Sequence, residues 1–280
     1  MQSKRSFSRD KRGISPAIST VILTSAIIVM IMVAMTFANG VLNSQVANNE
    51  FTSNKQFMQT TGQQLDAVAW SLGGTQTVTY SSKYGALAFN ASALYYSFQL
   101  YSNSTLLASF NAPATGLIMY NMPVSAVSVG NGYFQRVPMN ANSSIVQSGA
   151  SAPVSQVLCM ENLTVGSHAY SRIVLVPTIR MLNSTIMGTA SYYKFYVPYL
   201  DGFSTTHASS PSITLTGENV TKITETGVTR VVVTAVPNVS AGFDSTFFRF
   251  NSTVVAIPTI LSGSVVEFYF GEVQVTQGVT

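Results

Sequence analysis

The hydrophobic pattern changes period twice along the chain, and each change predicts a different element. Residues 14–38 are an unbroken run of apolar and small side chains, and no charged residue occurs between Arg12 and Glu50. As an α-helix this run measures roughly 37 Å at about 1.5 Å per residue, longer than a hydrocarbon core of about 30 Å. Over 39–72 the pattern becomes amphipathic. Phe51, Met58, Leu65 and Leu72 recur every seven positions, and Ala47, Asn54, Thr61 and Val68 fill the same face. Glu50, Lys55, Gln56, Gln63 and Asp66 are expected to point elsewhere. Asn39-Gly40 and Gly62 are soft points, and Gly73-Gly74 predicts a helix end near Leu72.

Beyond Gly74 the chain turns to short β-branched and aromatic runs divided by Gly, Pro, Asn and Ser. Strands are predicted at 75–80, 95–101, 117–120, 155–160, 171–176, 192–197, 213–216, 220–225, 229–235, 246–250, 254–257 and 265–276. Their density predicts a β-rich, sandwich-like domain over 73–280 and an α+β chain overall. The Ser/Ala/Pro stretch at 140–153 is the expected place for an exposed loop or for a division into two subdomains. No internal repeat is visible.

Composition sharpens this picture. Charged residues make up only 9% of the chain, against about 25% in an ordinary globular domain. Membrane residence explains part of the deficit, and a body rich in Ser, Thr, Asn, Tyr and Val explains the rest. The net charge of +4 is concentrated at the start, where Lys4, Arg5, Arg9, Lys11 and Arg12 face only Asp10. The remaining nine basic and nine acidic residues cancel, so no basic surface is left for nucleic acid. Cys159, the single cysteine, excludes an internal disulfide. Its neighbours Val157, Leu158 and Met160 predict a shielded thiol.

The start of the apolar run is well marked. Ser15 is suited to cap the first backbone N–H groups, and Pro16 fits the first helical turn. The basic cluster predicts a cytoplasmic amino terminus, with everything beyond Ala38 outside. A secretory signal has an apolar stretch of only about 7–15 residues, and Thr36-Phe37-Ala38 is a poor cleavage site after it. A plain single-span anchor leaves Gly13 without a role. The junction Lys11-Arg12-Gly13-Ile14, followed by Ser15-Pro16-Ala17-Ile18, resembles the class III signal peptide of type IV prepilins, above all the archaeal pilins and archaellins.

That resemblance covers about residues 1–45, and its implications are specific. It implies that 1–13 is a cytoplasmic leader, that a prepilin peptidase cuts before Ile14, and that 14–38 is retained as the membrane-spanning and later filament-core helix. The helix would extend through 39–72 to a β-domain, the lollipop shape of a pilin. Bacterial members usually carry a glutamate near the mature terminus; Ile18 stands there, which leaves assembly to apolar packing. Ala17, Thr20, Thr24 and Ala26 are small enough to let identical helices approach closely. Hydroxyls among them have a local alternative, a bond back to their own helix.

The rest of the chain adds little chemistry. Sequons occur at Asn90, Asn103, Asn142, Asn162, Asn183, Asn219, Asn238 and Asn251, all beyond the apolar run and so candidates for glycosylation. His168 and His207 have no partner at metal-ligand spacing, and Asp201, Glu218 and Asp244 follow no known calcium loop. Tyr95, Tyr96, Tyr192, Tyr193, Tyr196 and Tyr199 are either a ligand platform or cross-strand packing. No catalytic, cofactor or metal site is expected. The sequence therefore predicts a structural and adhesive subunit of a surface filament, located in the membrane as a precursor and outside the cell once assembled. Its expected partners are like subunits, the peptidase and a surface-layer or adhesion target. The alternatives are a minor or stator-type relative, or a plain anchored receptor.

Overall fold

The computed structural model describes residues 14–138, 143–165, 168–186, 190–205, 211–257 and 264–278. Helix α1 (Ile14–Val68) runs for 55 residues without a break. Asn39-Gly40 and Gly62 do not interrupt it, because a glycine inside a helix costs only about 1 kcal/mol. The chain divides into two compact units, residues 1–46 and 47–280. In the first unit every described side chain from Ile18 to Val46 is exposed.

In the second unit the helix is buried along the face that the heptad pattern marks. Ala47, Phe51, Asn54, Met58, Thr61, Leu65 and Val68 are all buried. Two expectations need correction. Leu72 is 70% exposed because the helix ends at Val68, four residues early. Glu50, expected on an outer face, is buried.

The strands are β1 (Thr75–Thr79), β2 (Ala86–Ser102), β3 (Thr105–Asn111), β4 (Thr115–Pro123), β5 (Phe134–Val137), β6 (Val146–Ser148) and β7 (Ser155–Val165), then β8 (His168–Pro177), β9 (Ile179–Ile186), β10 (Ala190–Thr205), β11 (Ser212–Thr226), β12 (Arg230–Pro237), β13 (Thr253–Ala256) and β14 (Ser264–Gln277). One sheet runs β1-β11-β14-β10-β9-β6; the other runs β13-β12-β2-β4-β8-β7-β5, with β3 paired to the second half of β2. The expected strands 213–216 and 220–225 are one strand, β11, with a register shift at Gly217/Asn219. The expected strand 246–250 is instead a short helix, α2 (Ser245–Phe248). Asp244 causes this: its Oδ1 accepts from the Thr246 and Phe247 N–H groups at 2.9 and 3.0 Å, an N-terminal cap. The stretch at 140–153 does not divide the domain, since residues 47–280 form one unit and β6 pairs with β9.

Strand periodicity builds two cores. Leu117, Met119, Leu158, Met160, Val174 and Val176 face one cluster, which the sheet containing β10 and β14 shares through Phe195, Val266, Phe268 and Phe270. Their neighbours Ile118, Tyr120, Val157, Cys159, Ile173 and Leu175 face the other, with the helix. Strands buried on both sides read as continuous apolar runs, which is why 117–120, 155–160 and 171–176 were predictable.

The parallel pair β10/β14 sets Phe195 against Phe268 and Tyr196 against Tyr269, with stacked rings at 5.0 and 5.1 Å. Phe98 and Phe110 meet Phe268 edge-on at 5.0 and 5.2 Å. Tyr96 and Tyr193 are buried in the same cluster, so these tyrosines belong to packing. The remaining candidates Tyr95, Tyr192, Tyr196 and Tyr199 are half-buried.

The end of α1 fits against the strands by close backbone approach. A Cβ on Gly271 lies 2.5 Å from the Ala69 carbonyl oxygen, and one on Gly217 lies 2.4 Å from that of Val68. Gly73 N–H also bonds the Gly217 carbonyl at 2.8 Å, and Gly217 N–H that of Gly74 at 3.0 Å. These strand contacts take over from helical pairing just beyond Val68. Gly271→Ala is therefore expected to lower the unfolding free energy by about 1–3 kcal/mol, since backbone cannot yield as a side chain can. Gly40→Ala, which meets nothing within 4 Å, should be neutral or stabilising by up to about 1 kcal/mol. Urea denaturation of the full chain in micelles, followed by circular dichroism, checks both.

Candidate functional site

The first candidate is the exposed part of α1. It is long and apolar enough to cross a membrane, and none of its apolar window is buried. Ile22, Val29, Met32, Val33 and Phe37 are each more than half exposed. Covering a side chain of this kind is worth about 1.5–3 kcal/mol, so the segment demands lipid or protein around it. A helix apolar on every side is a core or membrane helix.

Three hydroxyls of this segment bond back to their own helix. Thr24 Oγ1 donates to the Thr20 and Val21 carbonyls at 2.9 and 3.1 Å, Ser25 to Val21 at 2.7 Å and Thr36 to Met32 at 2.8 Å. Thr24, foreseen as a helix-approach residue, thus also takes the local bond. Thr20 and Ala26 are exposed. Ile14 and Ala17 lie in the helix, with side chains outside the described residues. Lys11, Arg12 and Gly13 also lie outside them.

Where α1 joins the β-rich unit, two polar helix residues one turn apart hold the loop before β2. Glu50 accepts from the backbone N–H groups of Lys83, Tyr84 and Gly85 at 3.1, 3.0 and 3.1 Å, and from the Tyr120 hydroxyl. Asn54, fully buried, donates to the Ser81 carbonyl at 2.8 Å and accepts from its N–H at 3.3 Å. Burial, followed by the Glu50 hydrogen bond, pushes the Tyr120 phenol well above its ordinary range, so it stays a donor. Further along, Asp66 pairs with Arg180 at 2.7 Å and accepts from Trp70 Nε1 at 3.0 Å.

The remaining sequence candidates are scattered. Asn103 sits at the two-residue loop joining β2 and β3, with φ of 52°, and is exposed. Asn183, Asn219 and Asn251 are exposed, and Asn90 and Asn238 are half-buried. Asn142 and His207 lie outside the described residues, as do the side chains of Asn162 and His168. Asp201 and Glu218 line a cavity of about 390 Å³ together with Glu272, while Asp244 lines another. Among the described residues no group of three acidic, histidine or cysteine side chains is placed to hold a metal.

Sequence reasoning missed a second buried carboxylate, Glu161. Its Oε2 accepts from Ser128 Oγ at 2.9 Å, from the Val129 and Gly130 N–H groups at 2.6 and 2.9 Å, and from Ser171 Oγ at 3.2 Å. The glutamate lies one residue beyond the predicted strand 155–160, and three of its four partners come from a loop some thirty residues away, so no local pattern announces the contact. Comparison with protein-family models, with curated proteins and with solved structures returns no match.

Two predictions follow from these buried groups. Burial raises the Glu161 carboxyl, but the Gly130, Ser128, Val129 and Ser171 hydrogen bonds outweigh it and hold the group below its ordinary value. The carboxylate therefore stabilises the 128–130 loop above the unfolded value of about 4.3, and this stabilisation is lost as pH falls through the lower folded value. Hydrogen-exchange protection at Val129 and Gly130 should drop on acidification, and in Glu161→Gln it should be low and pH-independent already at neutral pH. Cys159 is buried, and desolvation, opposed by Lys55, pushes its thiol up to about 11. Maleimide at neutral pH should leave the folded chain unlabelled and label one site after denaturation.

Proposed function

We propose that this chain is a structural subunit of an extracellular type IV pilus-like filament, processed before Ile14 and assembled through the exposed part of α1. The observation that carries this reading is the uninterrupted exposure of every described side chain from Ile18 to Val46 on a helix that continues for 55 residues. A simple anchor requires only about 20 apolar residues, whereas this helix continues beyond its apolar window as one element. In lipid, the apolar side chains are solvated by acyl chains; in a filament, identical helices replace those chains.

On this reading the β-rich unit is the sandwich-like head of a pilin lollipop and forms the outer surface, where it makes adhesive or envelope contacts. The low charge of that surface is consistent with hydration by N-linked sugars. Asn103, Asn183, Asn219 and Asn251 are the exposed acceptors for them.

Mass spectrometry of the chain extracted from membranes and from sheared surface filaments tests the reading. The expected mature terminus is Ile14, with this chain the bulk constituent of the filaments seen by electron microscopy. An intact leader, or loss of residues 14–38 on export, overturns it. Ala26→Phe should leave membrane insertion and the melting of the β-rich unit unchanged and abolish filaments.

A further inference from the structure

A cavity of about 560 Å³ lies on the β-rich unit. That volume falls within the range of about 300–1,000 Å³ typical of small-molecule sites. Its floor is the sheet face that carries Arg172, Met160 and Met119, and its walls come from the 131–134 segment and from the 241–249 segment around α2.

Arg172 is the unexplained group. The residue is only 7% exposed, its Nε has no hydrogen-bond partner, and no ion pair includes it among the described residues. Its guanidinium carbon lies 5.7 Å from the centre of the Tyr170 ring. Directly across the strand pair stands Asn121, whose buried Oδ1 also lacks a partner. Buried guanidinium groups are normally paired, because removing such a charge from water without a counter-charge is costly.

Two acids line the cavity, and both are committed elsewhere. Glu161 holds the 128–130 loop through Oε2, and Asp244 caps α2 through Oδ1. A second cation, Arg249, lies over the Phe134 ring at 4.4 Å at the exposed rim. The wall behind it is fixed, since Arg136 donates to the Phe248 carbonyl at 3.1 Å and to that of Arg249.

The rest of the lining supplies aromatic rings and neutral amides. Tyr133, Phe243 and Phe247 present ring surfaces, and Asn90 and Asn131 present amide groups. Rings accept the C–H face of a pyranose, amides bond its hydroxyls, and a guanidinium takes a carboxylate by paired N–H donors.

The geometry points to this cavity as a binding site for a carboxylate-bearing sugar, a hexuronic acid unit of an acidic glycan, with Arg172 and Arg249 receiving the carboxylate. The inference does not depend on filament assembly, because every lining residue belongs to the β-rich unit. Failure of either reading leaves the other standing.

Calorimetric titration of the full chain, in micelles of a detergent without a sugar headgroup, tests it with D-glucuronate, D-glucose, acetate and a short peptide. Glucuronate should bind at least tenfold more tightly than glucose or acetate, and more weakly as salt is raised. Arg172→Gln and Arg249→Gln should each weaken it at least tenfold. Should Arg172→Gln fail to fold, the exposed rim variant Arg249→Gln carries the test, since its unfolding temperature should match the parent. The assignment is overturned if glucuronate does not bind, if glucose or acetate binds equally well, or if the peptide carboxylate binds more tightly. A sugar covalently attached at Asn90 and filling the cavity also overturns it.

Discussion

The seating of residues 47–68 of α1 on two β-sheets is the contact on which the rest of the domain depends. The buried helical face is not purely greasy. Met58, Leu65 and Val68 supply apolar area, but Glu50, Asn54 and Thr61 are buried among them. Each buried polar group must find a partner or cost free energy. Thr61 bonds back to the Phe57 carbonyl at 2.9 Å, while Glu50 and Asn54 reach outward to residues 81–85. Apolar packing alone would tolerate sliding along the groove. The two outward-reaching residues set the position of the helix and pin the connection between β1 and β2, so register and loop geometry come from one pair of side chains.

Scarce charge makes each ionic group individually consequential. Glu50 and Glu161 are spent on backbone N–H groups of loops. Asp66 ties Arg180 to the helix, Asp244 caps α2, and Glu267 takes Lys222 at 2.6 Å and the Tyr269 hydroxyl at 2.7 Å. Hydrogen bonds to charged acceptors are roughly twice as strong as neutral ones, so a few carboxylates organise loops that uncharged Ser/Thr-rich sequence would leave weakly specified. Arg172 departs from this economy, and it is this departure that gives the cavity its meaning.

How much of this was legible follows from whether the signal is local. The heptad stripe from Ala47 to Val68 and the double-faced strands around 117–120, 155–160 and 171–176 are periodic in sequence, and periodicity reports burial directly. Strands β3, β5, β6 and β9 escaped because they carry polar or interrupted patterns, as in Arg180 and Asn183 to Thr185 of β9. The Phe247-Phe248 run looked like a strand because aromatic enrichment outweighed the single capping oxygen of Asp244. Glu50 looked like a solvent-facing charge because its partners, Lys83 to Gly85 and Tyr120, are brought in only by the tertiary fold. The cavity was illegible for the same reason: Asn90, Arg172 and Arg249 are far apart in sequence, and nothing near any of them suggests a shared purpose.

The apolar half of α1 carries an argument about specificity. Thr24, Ser25 and Thr36 return their hydroxyls to carbonyls of their own helix, so the segment brings no unsatisfied hydroxyl at these positions into lipid or into a bundle of copies. Such a helix is nearly indifferent between the two environments, which favours easy transfer from one to the other. Indifference also means that the helix cannot by itself choose its neighbours, because packing of apolar side chains selects for shape more loosely than directed polar contacts do. On the filament reading, recognition of like subunits must therefore come from the β-rich unit, whose charges and hydroxyls are directional, while the helix supplies the cohesion.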